Sequence, residues 1–126
     1  MYMMDTCAFL WYIETSRRLP VALRELIDNS KDMFISQVTL WEIAIKQTVR
    51  KIDLDMNIYE LEKRCSENRI TILPIETAYF ERIKQLPLIH RDPFDRMIIA
   101  TAIEKKLTLL TCDSNIMKYE EVKTLW

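Results

Sequence analysis

Glycine is absent from this chain of 126 residues. Its absence excludes the glycine-rich phosphate loops of dinucleotide-binding and P-loop proteins, because both need a residue without a side chain close to the phosphate. Histidine occurs once, and the three cysteines (Cys7, Cys65 and Cys112) are widely spaced with no CxxC pair. This pattern disfavours both a zinc site and a disulfide framework, so reduced thiols are predicted.

Long apolar runs are missing as well. No segment approaches the roughly 20 apolar residues of a membrane span, and the N-terminal MYMMD lacks the basic stretch of a signal peptide. The formal net charge is −1, so nucleic-acid binding would need local positive charge or metal ions. We predict a cytoplasmic protein without membrane contact that forms a single domain over residues 1–126.

The chain instead shows short apolar strands alternating with amphipathic helices. Strands are predicted at MYMM, DMFIS, ITILPI and LTLLT, with a further strand-like segment at VKTLW. LTLLT is almost uniformly apolar, which is typical of a strand buried on both faces of a parallel sheet. Such alternation predicts βαβ units and a three-layer α/β/α sandwich with a central, mainly parallel sheet. In the helix SQVTLWEIAIKQTVRK, Val38, Trp41, Ile45 and Val49 share one stripe, and Trp41 is predicted to be part of the core.

Four carboxylates fall where such a fold would bring side chains together. Asp5 and Asp113 follow apolar strands, Asp95 lies in the first turn of a predicted helix, and Glu42 interrupts the apolar LWEIAI. Open parallel sheets bind ligands at the carboxyl ends of their strands. Acids that converge there would raise one another's pKa unless a cation joined them, and oxygen-only ligands suit Mg²⁺ or Mn²⁺.

Each acid also has a structural explanation when it is considered alone. Asp92 is predicted to be the N-cap of a helix that begins at Pro93. Asp95 would stabilise the helix dipole, and a strand-terminal aspartate such as Asp5 or Asp113 is often a turn residue. A lone Glu42 would be salt-bridged or extended to solvent. The residues by themselves leave the choice open.

Four segments in this order resemble the motifs of PIN-domain proteins, and most closely those of VapC-type toxins of bacterial type II toxin–antitoxin systems. The segments are MMDTCAFLW, SQVTLWEIAIK, HRDPFDRMIIATA and LLTCDSNIMKY, and the resemblance covers essentially the whole chain. It places the four acids of the family on Asp5, Glu42, Asp95 and Asp113. The chain departs from the pattern at Cys7, where many relatives have histidine, and it lacks the glycine that relatives often have before Lys51.

The resemblance implies a Mg²⁺- or Mn²⁺-dependent endoribonuclease that hydrolyses RNA phosphodiesters by in-line attack of a metal-bound water. Asp5, Asp95 and Asp113 would hold the metal, and Glu42 would ligate it or orient the nucleophile. The implied partners are the RNA substrate, a cognate antitoxin that covers the acidic cleft, and a second copy of the chain in a homodimer.

Other polar residues are expected around this site. The hydroxyls of Thr6, Ser36 and Thr111 would support the carboxylates, with helix capping as the alternative role. Arg91 and Arg96 would contact RNA phosphate, although Arg96 would equally well pair with a neighbouring acid on the helix surface. His90 is interpreted mainly as a structural loop residue, and the sequence assigns no place to Trp126.

Two further functions compete with the nuclease. The first is a PIN-like module that binds RNA or protein without catalysis, and the intact set of four acids argues against it. The second is a phosphatase or receiver protein with Asp5 as the acceptor. Cys7 stands where a haloacid-dehalogenase-like pattern needs a second aspartate, and Asp5 lacks the adjacent acid of a receiver domain.

Overall fold

All five strands of the chain run parallel in one sheet. The computed structural model describes residues 1–126, and its strands are β1 (Tyr2–Met4), β2 (Met33–Ser36), β3 (Ile70–Leu73), β4 (Thr108–Leu110) and β5 (Thr124–Leu125). Their order across the sheet is β3-β2-β1-β4-β5, so β1 is central and pairs with both β2 and β4. The chain therefore changes direction across the sheet between β1 and β4, which is where open α/β sheets bind their ligands.

Seven helices connect or follow these strands. They are α1 (Thr6–Ile13), α2 (Val21–Asn29), α3 (Gln37–Thr48), α4 (Ile58–Glu67), α5 (Thr77–Gln85), α6 (Pro93–Lys105) and α7 (Ser114–Met117). The predicted start of α6 is confirmed, since Asp92 accepts hydrogen bonds from the backbone N–H groups of Phe94 and Asp95. None of these helices is both long enough and apolar enough to cross a membrane.

Two apolar cores lie on opposite faces of the sheet. Successive residues of a strand point to opposite faces, so Met4 and Leu110 belong to one core while Met3 and Leu109 belong to the other. Helices α1, α2 and α4 cover the first face, and α5, α6 and α7 cover the second. This arrangement confirms the predicted three-layer α/β/α sandwich.

The lack of glycine has a local cost at four turns. Thr15, Arg50, Arg69 and Lys106 adopt left-handed backbone conformations with φ between 55° and 57°. Each such residue with a Cβ atom costs roughly 1–2 kcal/mol relative to a right-handed conformation. Arg50 precedes Lys51, the position where the family resemblance leads us to expect glycine, and its φ of 56° gives that expectation a physical reason.

The rotation of α3 corrects the prediction that Trp41 is part of the core. The Trp41 side chain is 59% exposed, and Ile45 and Val49 are exposed as well. Helix α3 buries Val38, Leu40 and Ile43 instead, and its Glu42 accepts a hydrogen bond from Thr6 of α1. Trp41 faces outward and packs edge-on against Phe94, with ring centroids 5.3 Å apart.

Candidate metal centre at the carboxyl edge of the sheet

The four acids lie together at the carboxyl edge of the sheet. Asp5 follows β1, and its backbone N–H donates to the carbonyl of Leu110 on β4, so the two strand ends that carry Asp5 and Asp113 are adjacent. Helix α6 presents Asp95 from its first turn, and α3 presents Glu42 from its second turn. The charges of these four residues act on one another, as the pKa values of Asp5 and Asp95 show.

Asp5 is a buried carboxylate, with 4% of the residue exposed. Burial raises its pKa from 3.8 to about 6, and the charges of Asp113 and Glu42 act in the same direction. Hydrogen bonds from the Thr111 hydroxyl and the Ala8 N–H lower the pKa but do not offset burial. Since none of the ion pairs of the chain includes Asp5, its negative charge is uncompensated at neutral pH.

Asp95 shows the same effect more strongly. Burial raises its pKa from 3.8 to about 7, and the charges of Asp92, Glu42 and Asp5 add to the rise. His90 acts in the opposite direction. A pKa near neutrality is costly for a carboxylate with only a structural role, and perturbed acids of this kind are typical of functional sites.

Glu42 is buried like Asp5 but has partners for both oxygens. Its Oε1 accepts a hydrogen bond of 2.7 Å from the Thr6 hydroxyl, and its Oε2 lies 2.7 Å from Nζ of Lys46. Burial opposes ionisation of Lys46, but the hydrogen bond and charge of Glu42 outweigh it, so the pKa of Lys46 is raised. Thr6 thus holds a carboxylate of the cluster, as the sequence predicts, and also contacts Thr39 at 3.2 Å.

Helix capping and the carboxylate cluster use different oxygens of Asp113. Its Oδ1 accepts hydrogen bonds from the backbone N–H groups of Asn115 and Ile116 and so caps α7. Its Oδ2 is turned instead towards His90 and lies 3.5 Å from Nε2. Asp5 also caps its helix through Oδ1, at 2.8 Å from the Ala8 nitrogen. The two interpretations that the sequence left open are therefore compatible.

His90 lies inside the cluster and not at its margin. Its Nε2 atom is 2.7 Å from Oδ2 of Asp95, and the side chain is only 15% exposed. The ring N–H axis is directed at neither carboxylate, so Nε2 is buried without a hydrogen-bond partner. One donor atom each from His90, Asp95 and Asp113 lies within 4.8 Å of the other two, a spacing that suits the ligands of one metal ion.

The donor set fits a divalent cation. Burial and the charges of neighbouring acids raise the pKa values of Asp5 and Asp95, and a cation would stabilise their ionised forms. Asp113 has a free carboxylate oxygen facing the cluster, and His90 has an orphaned ring nitrogen. Glu42 contributes negative charge from the side, although Thr6 and Lys46 already contact its two oxygens.

Arg96 corrects a prediction, because it contacts neither an acid nor the cleft. The residue is buried, and its Nη1 donates to the carbonyls of Pro87 and His90, while its Nη2 donates to those of Ile83 and Leu86. Both Nη groups are therefore used by the loop that precedes α6 and are turned away from the acids. Arg91, by contrast, has an exposed side chain.

The remaining polar predictions divide between support and capping. Thr111 hydrogen bonds to Asp5, and its hydroxyl also accepts from the backbone N–H of Asp113 at 3.1 Å. Ser36 is buried and caps α3 by accepting from the Val38 N–H at 3.1 Å. The capping alternative therefore describes Ser36.

Sequence reasoning missed Lys46 and underestimated His90. Lys46 lies four residues after Glu42, a spacing that pairs opposite charges on a helix, so this signal was available. For His90, the signal was its position two residues before the N-cap of a helix that carries a predicted ligand. A ring at that position lies over the first turn of the helix, close to Asp95.

Known proteins share the family and the fold of this chain. The PIN domain family model matches residues 2–122, and the chain therefore belongs to the PIN domain family. Ribonuclease VapC22 of Mycobacterium tuberculosis is 21% identical over 98% of this chain and 97% of that protein. The resemblance inferred from the four segments is confirmed.

Solved structures agree on the fold. VapBC2 from Rickettsia felis, bound to a DNA fragment from its promoter, contains a chain that superposes with a TM-score of 0.73 at 18% identity, covering 99% of this chain and 98% of that one. A toxin–antitoxin complex from Klebsiella pneumoniae gives a TM-score of 0.64 at 22% identity, with 97% and 95% covered.

Proposed function

We propose that this chain is a divalent-metal-dependent endoribonuclease that acts as the toxin of a toxin–antitoxin pair. The observation that carries the proposal is the cluster of four acids at the point where the sheet order reverses. Two of them, Asp5 and Asp95, have pKa values raised to about 6 and 7. If Asp5 and Asp95 only stabilised the ends of helices, exposed positions would suffice, because an exposed carboxylate keeps its hydration.

Asp5, Asp95 and Asp113 are the residues that we propose hold the metal. When bound, a divalent cation acidifies water and offsets the negative charge that develops on a phosphodiester during hydrolysis. Glu42 is fixed in orientation by Thr6 and Lys46, and we assign it to orient the attacking water. The exposed Arg91, at the start of α6, is assigned to contact the RNA backbone.

RNA is the substrate class that the family resemblance supports, since one relative is a ribonuclease. An antitoxin is the protein partner that we propose, because structural neighbours include a toxin–antitoxin complex. The acidic cleft would attract a basic side chain of such a partner. A protein that binds RNA or protein without cleavage remains the alternative, and the following experiment separates the two.

The test is cleavage of a pool of structured RNAs by the purified chain with Mg²⁺, Mn²⁺ or EDTA. We expect metal-dependent cleavage that falls by at least about 100-fold in Asp5→Asn and Asp95→Asn, since each substitution removes a proposed ligand. Asp32→Asn is the matched control, because Asp32 is an exposed aspartate just before β2, at the opposite edge of the sheet.

Three results would count against the nuclease. Cleavage that survives in EDTA would exclude a metal-dependent mechanism. Full activity in both ligand variants would show that the active site lies elsewhere. RNA binding without cleavage at any metal concentration, by a chain that binds Mn²⁺, would favour the binding module.

The homodimer is proposed to form through the outward side of α3. Trp41, Phe80 and Phe94 line an open groove of about 610 Å³ between α3, α5 and α6. Trp41 and Phe80 are each more than half exposed, and large apolar surfaces of this kind mark protein contacts.

Light scattering of the purified chain tests this surface. We expect Trp41→Glu to be monomeric where the wild type is dimeric, because a carboxylate in an apolar contact loses its hydration without gaining a partner. Tyr59→Glu is the matched control, since Tyr59 on α4 is also an exposed aromatic residue. A wild-type monomer, or a dimer that survives Trp41→Glu, would contradict the proposal.

A further inference from the structure

We propose that His90, the only histidine of the chain, is a nitrogen ligand of the metal centre and makes the centre prefer Mn²⁺ to Mg²⁺. The inference rests on the proposed metal site and adds a ligand to it. The sequence indicated oxygen ligands alone, whereas the fold places an imidazole between Asp95 and Asp113. Three kinds of observation carry it: the distances, the direction of the ring, and the way the loop is held.

The distances are those of atoms that share one coordination shell. Nε2 of His90 lies 2.7 Å from Oδ2 of Asp95 and 3.5 Å from Oδ2 of Asp113. Two neighbouring ligands of an octahedral ion with bonds of about 2.1 Å are about 3 Å apart. One separation is shorter than this value and the other is longer, so one ion can contact all three atoms after small side-chain rotations.

The direction of the ring favours ligation over a hydrogen bond. Although Oδ2 of Asp95 is only 2.7 Å from Nε2, it lies too far off the N–H axis to accept a hydrogen bond. Two adjacent ligands of an octahedral ion each lie about 45° off the bond axis of the other. The off-axis position that excludes a hydrogen bond is therefore the position that a shared ion requires.

The loop that carries His90 is held firmly at its backbone. The His90 N–H donates to the Tyr119 hydroxyl at 2.9 Å, and its carbonyl accepts from Nη1 of Arg96 at 3.2 Å. The same Tyr119 hydroxyl donates to the carbonyl of Pro87 at 2.8 Å. A side chain on so constrained a loop is positioned before any ligand binds, as metal sites require.

The other ring nitrogen accommodates ligation by a change of tautomer. Nδ1 accepts a long hydrogen bond of 3.4 Å from the Asp92 N–H, so the proton of a neutral ring is on Nε2. With an ion bound, Nε2 would supply its lone pair and the ring proton would lie on Nδ1, in place of the Asp92 contact. The number of protons on the ring is unchanged, and only a weak bond is lost.

A nitrogen ligand changes which ion the site selects. Mg²⁺ prefers oxygen ligands and retains water, whereas imidazole binds divalent first-row transition metals, of which Mn²⁺ is the weakest binder and the one that also accepts carboxylates. His90 should therefore add affinity for Mn²⁺ and little for Mg²⁺. The other carboxylates keep the site usable by both ions.

The experiment is pulsed electron paramagnetic resonance of Mn²⁺ bound to the full chain, purified without a histidine tag. We expect a nitrogen coupling on Mn²⁺ that changes when the chain contains ¹⁵N-histidine, and this coupling can come from His90 alone because the chain has no other imidazole. Calorimetry of His90→Gln should show Mn²⁺ affinity reduced about tenfold or more, with Mg²⁺ affinity changed less than about threefold.

The outcomes separate this inference from the proposed function. Bound Mn²⁺ with no histidine coupling would overturn the role of His90 and leave the carboxylate site intact, and equal losses for both ions in His90→Gln would overturn the preference for Mn²⁺. Histidine coupling in a chain that cuts no RNA would support the ligand and contradict the nuclease. A wild-type chain that binds no divalent ion, while Asp32→Asn and wild type are equally folded, would overturn both.

Discussion

Helices α3 and α6 each bring one acid and one nearby cation to the same edge of the sheet, but they use the cation differently. On α3, Lys46 lies 2.7 Å from Glu42 and neutralises it. On α6, the guanidinium of Arg96 is turned away from Asp95 and holds four backbone carbonyls of the preceding segment. Asp95 is left with the His90 ring as its nearest basic neighbour, with Nε2 at 2.7 Å from Oδ2.

This difference leaves Asp95 available for an external ligand and fixes Glu42 by contacts within the chain. Glu42 has its charge balanced within the chain, so it needs no ligand in order to stay buried. Asp95 has a pKa raised to about 7 and gains most from an external cation. Arg96, the residue after Asp95, stabilises the loop that carries His90. Helix α6 therefore leaves the charge of Asp95 uncompensated, while Arg96 holds the segment before the helix in place.

Arg96→Ala should have the largest effect on stability, because it breaks the arrangement on α6. The substitution removes a buried guanidinium that donates to four backbone carbonyls. The carbonyls of Pro87 and His90 keep the Tyr119 hydroxyl as a donor, and we expect the free energy of unfolding to fall by about 3–4 kcal/mol. Urea denaturation measures this, with Arg91→Ala as the exposed neighbouring control, expected within about 0.5 kcal/mol of wild type. Equal stability of the two variants would show that the Arg96 contacts contribute little.

The unsatisfied acid on α6 should make the stability of the metal-free protein depend on pH. Because the folded pKa of Asp95 is about 7 and its ordinary value is 3.8, the folded state binds more protons than the unfolded state between these pH values. Stability is therefore present at low pH and falls as the pH rises from 4 to 7. The effect is of the order of 2–4 kcal/mol.

Asp95→Asn should remove much of this dependence and raise stability at pH 8. Thermal unfolding in EDTA at pH 5 and pH 8 measures both quantities, and Asp32→Asn is the control with an unchanged pH slope. If the stability of Asp95→Asn fell with pH as steeply as that of the wild type, the ionisation of Asp95 would have no free-energy cost in the folded protein.

Lys46→Met should have a smaller effect on stability. It removes the cation beside Glu42 and so makes α3 resemble α6, where Asp95 has no such cation. Glu42 would lose the partner of one oxygen but keep Thr6, so we expect the free energy of unfolding to fall by about 1–2 kcal/mol, measured by urea denaturation. Lys63→Met is the matched control, since Lys63 and Glu67 form an exposed pair 3.9 Å apart with the same spacing along a helix. Equal losses in the two variants would contradict the comparison.

The layers of the fold could be predicted from the sequence, and the prediction failed where a result depended on the rotation of a helix. The apolar strands, the Asp92 cap and the alternation of strand and helix are local signals, so they are readable without the fold. Trp41 was assigned to the core because its stripe is apolar, yet α3 turns Leu40, Glu42 and Ile43 inward and leaves Trp41 exposed. A stripe shows which residues share a side and not which side packs inward.

Arg96 and His90 were misjudged for a related reason. An arginine near acids suggests a phosphate contact, and nothing local indicates that four carbonyls of a loop converge on it. A loop histidine has no periodicity that marks it as buried. Contacts of this kind depend on how the segment before α6 folds back, which one sequence does not specify.

The central position of β1 has a consequence for how the protein is made. Tyr2 pairs with both Met33 and Thr108, so one neighbour of β1 follows within about thirty residues and the other only roughly a hundred residues later. Asp5 and Asp113 are separated in the same way, and at about 5–20 residues per second the delay between them is about 5–20 seconds. A nascent chain therefore carries an incomplete cleft until β4 has been made, and the acids of the cluster come together only late in synthesis.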